Sequence, residues 1–262
     1  MKDFNEAVKN GEVLVGISSE LHDPVVTHML GYGGFDFVIY NAAEGSACPY
    51  GKELETLITA AYNADIIPMV KVTNANYPEI SKVLDLGALG VLVSIVKTRE
   101  EAEVAADAAY FPPLGNRSAN PEIRGAKYGI MPWPEYYEHA NERITLMALL
   151  EDMQGVANME DIMSVKGINA VTMAWFDLMV RLGGVGNPDA EVKVLGYQNK
   201  FIELCKKKGM PFMLPFHDVD TAVQSLKRGC RILVYPDDVT LLKNGIFKAL
   251  KDVREGIKKF SG

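Results

Sequence analysis

The chain has 262 residues, 48% hydrophobic and 23% charged, a balance that excludes disorder and fibrous structure and suits one large soluble domain over 1–262. Lys and Arg number 27 against 34 Asp and Glu, and the net charge of −7 argues against nucleic acid or an anionic membrane as a partner. Apolar runs are too short for a signal peptide or a membrane span, so the expectation is a cytoplasmic protein.

Taken in chain order, β-rich runs occupy residues 12–17, 36–40, 67–72, 90–95, 145–150, 170–173, 211–214 and 231–234, each followed by helical spacing. Eight βα units without a linker predict an α/β fold of the (β/α)8 TIM-barrel type rather than an open doubly wound sheet. Helix punctuation is clear in the second half. Asn187 caps a helix with Pro188 at its first position, and Lys206, Lys207 and Lys208 precede Gly209 as a C-terminal turn. Asp218 opens the next helix, and 238–259 forms a long final one. A long insertion, 111–143, precedes strand five. It is expected either as a lid or pocket wall closed by Trp133, Tyr136 and Tyr137, or as an inert surface loop.

Cys48, Cys205 and Cys230 are too widely spaced for a zinc or redox motif and read as buried or incidental thiols. The four histidines, His22, His28, His139 and His217, lack ligand spacing, which leaves oxygen as the donor for any metal. Gly183, Gly184 and Gly186 fit no phosphate-loop spacing and serve to turn the chain into the helix at Pro188.

Barrel chemistry lies at the C-terminal ends of the strands. Those positions carry Asn41, Glu44, Lys71, Ser94, Glu151, Asp152, Asp177, His217 and Asp237. Glu151 and Asp177 follow adjacent strands and should converge on one rim as a Mg2+ or Mn2+ site, although either alone serves equally well as a helix cap. Lys71 sits in the apolar run IIPMVKVT, where a cation needs a partner. It can hold a substrate carboxylate, form a Schiff base, or pair with Glu44 or Asp177.

Several segments together carry a resemblance: GFDFVIY at 34–40, LDLGALGVLVSIV at 84–96, YFPPLGNRS at 110–118, LLED at 149–152, FDL at 176–178 and LGGVGNP at 182–188. The chain resembles the metal-dependent class II pyruvate aldolases of the 4-hydroxy-2-oxoheptanedioate aldolase and macrophomate synthase type. The resemblance implies a divalent cation, Mg2+, Mn2+ or Co2+, on Glu151 and Asp177. It also implies a pyruvate carboxylate received by the backbone amides of Phe176 and Asp177, and an aldehyde as the second product. Lys71 stands where the family has a substrate-binding Arg, and Asp85 matches an LD-G-A element counted with the catalytic residues. The chain departs from the family's Asp-x-x-His after strand two, where it has Asn41, Ala42, Ala43 and Glu44, so Glu44 becomes the candidate base. Leu149 replaces a Gln, and Ala174 and Trp175 replace a Gly-Pro. The implied assembly is a homo-oligomer, a hexamer in relatives, with the last helix packing across a neighbouring subunit. A family member that binds metal and oxo acid without turnover, and a Schiff-base enzyme using Lys71, are the alternatives.

Overall fold

The structure, a computed structural model, describes residues 1–44 and 50–261. The chain runs α1 (Phe4–Lys9), β1 (Leu14–Ser19), α2 (Pro24–Tyr32), β2 (Phe37–Asn41), α3 (Lys52–Asn63), β3 (Ile67–Val72), α4 (Tyr77–Asp85), β4 (Gly90–Val93) and α5 (Arg99–Ala109). It continues through α6 (Trp133–Arg143), β5 (Thr145–Leu150), α7 (Met153–Ala157), α8 (Met159–Ile162), β6 (Ala170–Met173) and α9 (Trp175–Arg181). The last elements are α10 (Pro188–Lys208), β7 (Phe212–Pro215), α11 (Val219–Lys227), β8 (Ile232–Tyr235) and α12 (Asp238–Ser261). All eight strands are parallel and pair in sequence order, and β8 closes on β1. The fold is the expected (β/α)8 barrel with its long C-terminal helix.

Strand periodicity sorts two cores. Alternate residues, among them Leu14, Phe37, Ile39, Met69, Met147 and Leu149, fill the barrel interior. Phe4 and Ala7 of α1 join this inner cluster, so α1 plugs the N-terminal end. The opposite parity, for example Val38, Tyr40, Val70 and Ala148, packs outward against the helices. Gly16 and Gly90 belong to the inward set at its tightest points, because a Cβ there would stand 2.2 Å from the Phe37 ring and from Met69 Cε respectively.

The insertion does not cover the strand C-termini of this chain's own barrel. It leaves α5 and returns to the start of β5, so topology anchors it at the N-terminal end, where Asn5 of α1 donates to the carbonyls of Glu142 and Ile144 at 2.9 Å. From there it runs over the outer faces of α3 and α4, with Arg124 donating to Thr59 at 2.7 Å and Tyr77 donating to the Asn116 carbonyl at 2.7 Å. Trp133, Tyr136 and Tyr137 are spent on Phe111, with Trp133 and Tyr137 each 5.5 Å from its ring centroid. Of the two expectations, the lid over this barrel is therefore corrected to a wall along its side.

Gly183, Gly184 and Gly186 all have positive φ and turn the chain into α10, where Asn187 accepts from the Asp189 N–H. Cys205 and Cys230 are buried free thiols, pushed by burial up to about 12 and about 11, while Cys48 lies outside the described residues. Among the described residues no helix is long and apolar enough to cross a membrane.

Candidate active site

Continuing the inward parity to the C-terminal end of each strand, or one residue past it, builds the mouth of the barrel. After Phe37 and Ile39 comes Asn41; after Ile67 and Met69 comes Lys71; after Met147 and Leu149 comes Glu151; after Leu14 and Gly16, by way of Ser18, comes Glu20. The apolar interior thus ends in a polar layer set by the twofold period of the strands. Ladder register joins the members: Asn41 is the partner of Lys71, and Ser19 and Tyr40 pair directly below Glu20 and Asn41.

Glu151 is only 4% exposed, and its Oε1 accepts the Ile95 N–H at 2.7 Å. Burial pushes its carboxyl above the ordinary range, with Asp177 and Glu44 adding to the rise and Lys71 and the Ile95 N–H opposing it. Lys71, Asp177 and Glu44 are therefore each within electrostatic reach of Glu151. Ile95 holds this contact at φ 54°, a left-handed conformation costly for a β-branched residue, about 1–3 kcal/mol. Asp177 stands in the first turn of α9, directly after the strand that pairs with β5, and the Ala174 N–H continues that pairing onto Leu150 O at 3.0 Å. The first-turn amides of α9, those of Phe176 and Asp177 among them, have no partner within the helix by position.

Lys71 points its Nζ at Glu44 Oε2, 3.1 Å away, with the lysine side chain 15% exposed and the glutamate 60%. The sequence reading missed the next residue over. Glu20 accepts from Asn41 Nδ2 at 2.8 Å, and Asn41 Oδ1 in turn takes the Ala43 and Glu44 N–H groups, each at 3.2 Å. Half-buried Glu20 is pushed upward by burial, with Asp237 adding to this and Asn41, His22 and Lys71 opposing it. Neither ring nitrogen of His22, which sits at φ 50°, has a hydrogen-bond partner among the described residues. Below them Asp238, 2% exposed, takes the Ser19 hydroxyl at 2.9 Å and the Glu20 N–H at 2.9 Å, fixing the end of β1.

Other expected positions do not join this group. Asp152 caps α7 through the Gly155 N–H at 2.7 Å and pairs with Lys97 at 3.5 Å. Asp237 accepts from the Thr240 N–H in the first turn of α12 and reaches the group only through its electrostatic effect on Glu20, and His217 is exposed beside α11. Ser94, just past β4, is buried with its hydroxyl unpartnered among the described residues. Asp85 ends α4 and pairs with Arg117 at 2.6 Å on the outer side of the barrel, apart from Glu151 and Lys71 within this chain.

Residues 24–244 match the HpcH/HpaI aldolase/citrate lyase family. The chain belongs to that family. Its members include aldolase-type carbon–carbon lyases: the 5-keto-4-deoxy-D-glucarate aldolase of Escherichia coli (strain K12) is 30% identical over 194 residues, 72% of this chain and 73% of that enzyme. Among solved structures, an HpcH/HpaI aldolase from Desulfitobacterium hafniense DCB-2 superposes with a TM-score of 0.88 at 24% identity over 97% of this chain and 98% of that one. The citrate synthase SbnG gives 0.87 at 27% identity over 97% and 98%. Macrophomate synthase gives 0.85 at 23% identity over 99% and 92%. The chain is thus a family member of aldolase-type lyase fold, with a mouth in which β1 carries an acid hydrogen-bonded to the asparagine of β2.

Proposed function

We propose that the protein is a divalent-metal-dependent carbon–carbon lyase that cleaves or forms 4-hydroxy-2-oxo acids through the enolate of pyruvate. The observation that carries this reading is the convergence of Glu151 and Asp177 from adjacent strand ends, with Lys71 and Glu44 in electrostatic reach. The donor set fits a hard cation. Both carboxylates offer oxygen and Glu151 keeps Oε2 beyond its Ile95 contact; among the described residues no group of three or more His, Cys, Asp or Glu stands ready to hold a metal, so the site offers two protein carboxylates. Glu151 and Asp177 would hold Mg2+, Mn2+ or Co2+, with water and substrate oxygens completing the shell. The cation, when bound, supplies Lewis-acid polarisation of the substrate's oxo group.

This chain's own residues do the rest. Lys71 attracts the substrate's negative charge, and Glu44 orients Lys71. The first-turn amides of Phe176 and Asp177 receive the pyruvate carboxylate. Glu44 was the base expected from sequence, but its side chain is largely exposed and engaged with Lys71, whereas Glu20 is half-buried and fixed by Asn41. In the cleavage direction Glu20 takes the proton of the 4-hydroxyl. The electron pair of that O–H bond becomes the aldehyde C=O, the C3–C4 bond breaks onto the 2-oxo group, and Glu20 returns the proton to C3 to give the methyl of pyruvate. Lys71, set opposite carboxylates as a cation, serves this scheme better than a Schiff base does.

The test is exchange of pyruvate methyl protons in D2O followed by NMR, on metal-stripped protein and after adding back Mg2+, Mn2+ or Co2+. Metal-dependent exchange is expected. Tight binding of metal and pyruvate with no exchange would replace this reading with that of a binding protein. A second reading, enolate condensation in place of cleavage, is favoured by the 27% identity to a citrate synthase over nearly the whole chain, and analysis of the carbon–carbon bond-forming product separates the two.

Assembly belongs to the same proposal. The α12 helix is 24 residues long and shows Ile246, Phe247, Leu250, Val253 and Phe260 to solvent, Phe247 at 65% exposure. These fall along one apolar stripe at helical spacing. We read that stripe as the contact with a second copy of the chain.

A further inference from the structure

Between the insertion and the outer faces of α3 and α4 lies a cavity of about 340 Å³, separate from the mouth of the barrel. Its body is apolar and aromatic, with Leu84, Met131 and Ile144 beside the rings of Tyr62 and Tyr136. Its charge is mostly positive: Arg117, Arg124, Lys127 and Arg143 line it, with His139 at its edge and Glu135 as the one carboxylate in the lining. His139 is drawn to Glu142 at 3.6 Å.

Arg117 is the informative residue. It is 3% exposed, its Nη2 pairs with Asp85 at 2.6 Å, and its guanidinium lies 5.0 Å from the Phe111 ring centroid. Its Nε and Nη1 are buried without a well-formed hydrogen bond among the described residues, and the Tyr136 hydroxyl in the cavity wall is the one group close enough to act on the guanidinium besides Asp85. A buried guanidinium with unmet N–H groups is costly, and a carboxylate is the group that matches it best. Two more cations back it up. Arg124 stacks 4.8 Å over the Tyr62 ring while one nitrogen donates to Thr59, and Arg143 lies within electrostatic reach of both Tyr62 and Tyr136.

We propose that this cavity binds an aromatic carboxylate: an anionic head drawn to Arg117, Arg124 and Arg143, on an aromatic body held by Tyr62, Tyr136 and Met131. Size and lining both suit a small ligand, since sites of this kind begin at about 300 Å³ and are mostly apolar with a few convergent polar groups.

Benzoate is the probe, titrated into full-length protein carrying 13C-methyl methionine, with the Met131 signal assigned through Met131→Leu. A saturable shift of Met131 is expected, with benzyl alcohol, the uncharged analogue, producing none. Arg124→Gln and Arg143→Ala should each weaken benzoate about tenfold. The Arg143 side chain is exposed, so its removal leaves the fold intact even where a change at Arg117 would not. Pyruvate should not compete. No saturable shift at Met131, equal binding of benzyl alcohol, unchanged affinity in both arginine variants, or displacement by pyruvate would each overturn the proposal.

Discussion

Glu20→Gln separates chemistry from structure at the mouth. The amide oxygen of Gln can accept from Asn41 Nδ2 as Glu20 Oε1 does at 2.8 Å, so the bridge between the ends of β1 and β2 survives while the proton-carrying group is lost. Positioned proton transfer contributes about 10²- to 10⁴-fold, and turnover and pyruvate methyl exchange should fall by that order. Stability should move the other way. Burial raises the Glu20 carboxyl above its unfolded value, with Asp237 adding to the rise and Asn41, His22 and Lys71 opposing it. Between the ordinary value near 4.5 and the raised one, the folded chain therefore binds more protons than the unfolded chain, and its stability falls as pH rises through that window. Gln carries no such dependence. The variant should be at least as resistant to urea as the parent at neutral pH, with the difference shrinking as the pH is lowered through the window. An inactive variant that is also destabilised at neutral pH would make Glu20 a structural residue. Exchange at the parental rate would refute its role in proton transfer.

Glu151→Gln or Asp177→Asn should abolish metal-dependent exchange and EDTA-sensitive turnover, and unchanged turnover in either would remove the metal assignment. Lys71→Met should raise KM for the oxo acid about 10- to 100-fold, as loss of a hydrogen bond to a charged group implies, with Lys71→Arg restoring most of it; steady-state kinetics decide. Gly16→Ala should cost about 1–3 kcal/mol in urea unfolding, because a new Cβ would lie 2.2 Å from the buried Phe37 ring, and a neutral result would mean that the barrel interior relaxes freely there. Leu250→Asp on the exposed stripe of α12 should lower the mass seen by light scattering without changing the circular dichroism spectrum, and an unaltered mass would exclude that face as the contact.

The barrel was legible because β-branched runs alternate with capped helices, and three of the eight strands have the expected bounds: 67–72, 145–150 and 170–173. The strand ends were less legible. The β-rich run of strand one spans 12–17 in the sequence, yet Ser18 pairs with Ile39 and Ser19 with Tyr40, and buried Asp238 holds the Ser19 hydroxyl. A partner 219 residues away leaves no local signal. That two-residue error hid Glu20, although the inward parity of Leu14, Gly16 and Ser18 points straight to it. Strand four erred in the other direction. It was read to Ile95, but the ladder ends at Val93 and Ile95 turns left-handed to aim its N–H at Glu151, a conformation that no β propensity foretells. The insertion was misplaced for a plainer reason: a segment between a helix and the next strand begins and ends at the N-terminal end of a barrel, whatever its aromatic content.

Charge at the mouth bears on the proposed cation. Glu20, Glu44, Glu151 and Asp177 come from four strand ends, and Lys71 is the cation that acts electrostatically on Glu20 and Glu151 and pairs with Glu44. Burial of Glu151 makes its repulsion from Asp177 and Glu44 harder to screen than at an open surface, and half-buried Glu20 is repelled by Asp237 in the same way. The chain could relieve this by protonation, as the upward push on both buried acids indicates, or by admitting a divalent ion between Glu151 and Asp177. The two routes use different acids. If the ion takes Glu151 and Asp177, Glu20 remains the acid whose proton is free to move, two strands away from Lys71 and held in place by Asn41. The loss of imidazole after strand two is then offset by a carboxylate on β1, and the proton-transfer and metal halves of the site stay on opposite sides of the mouth.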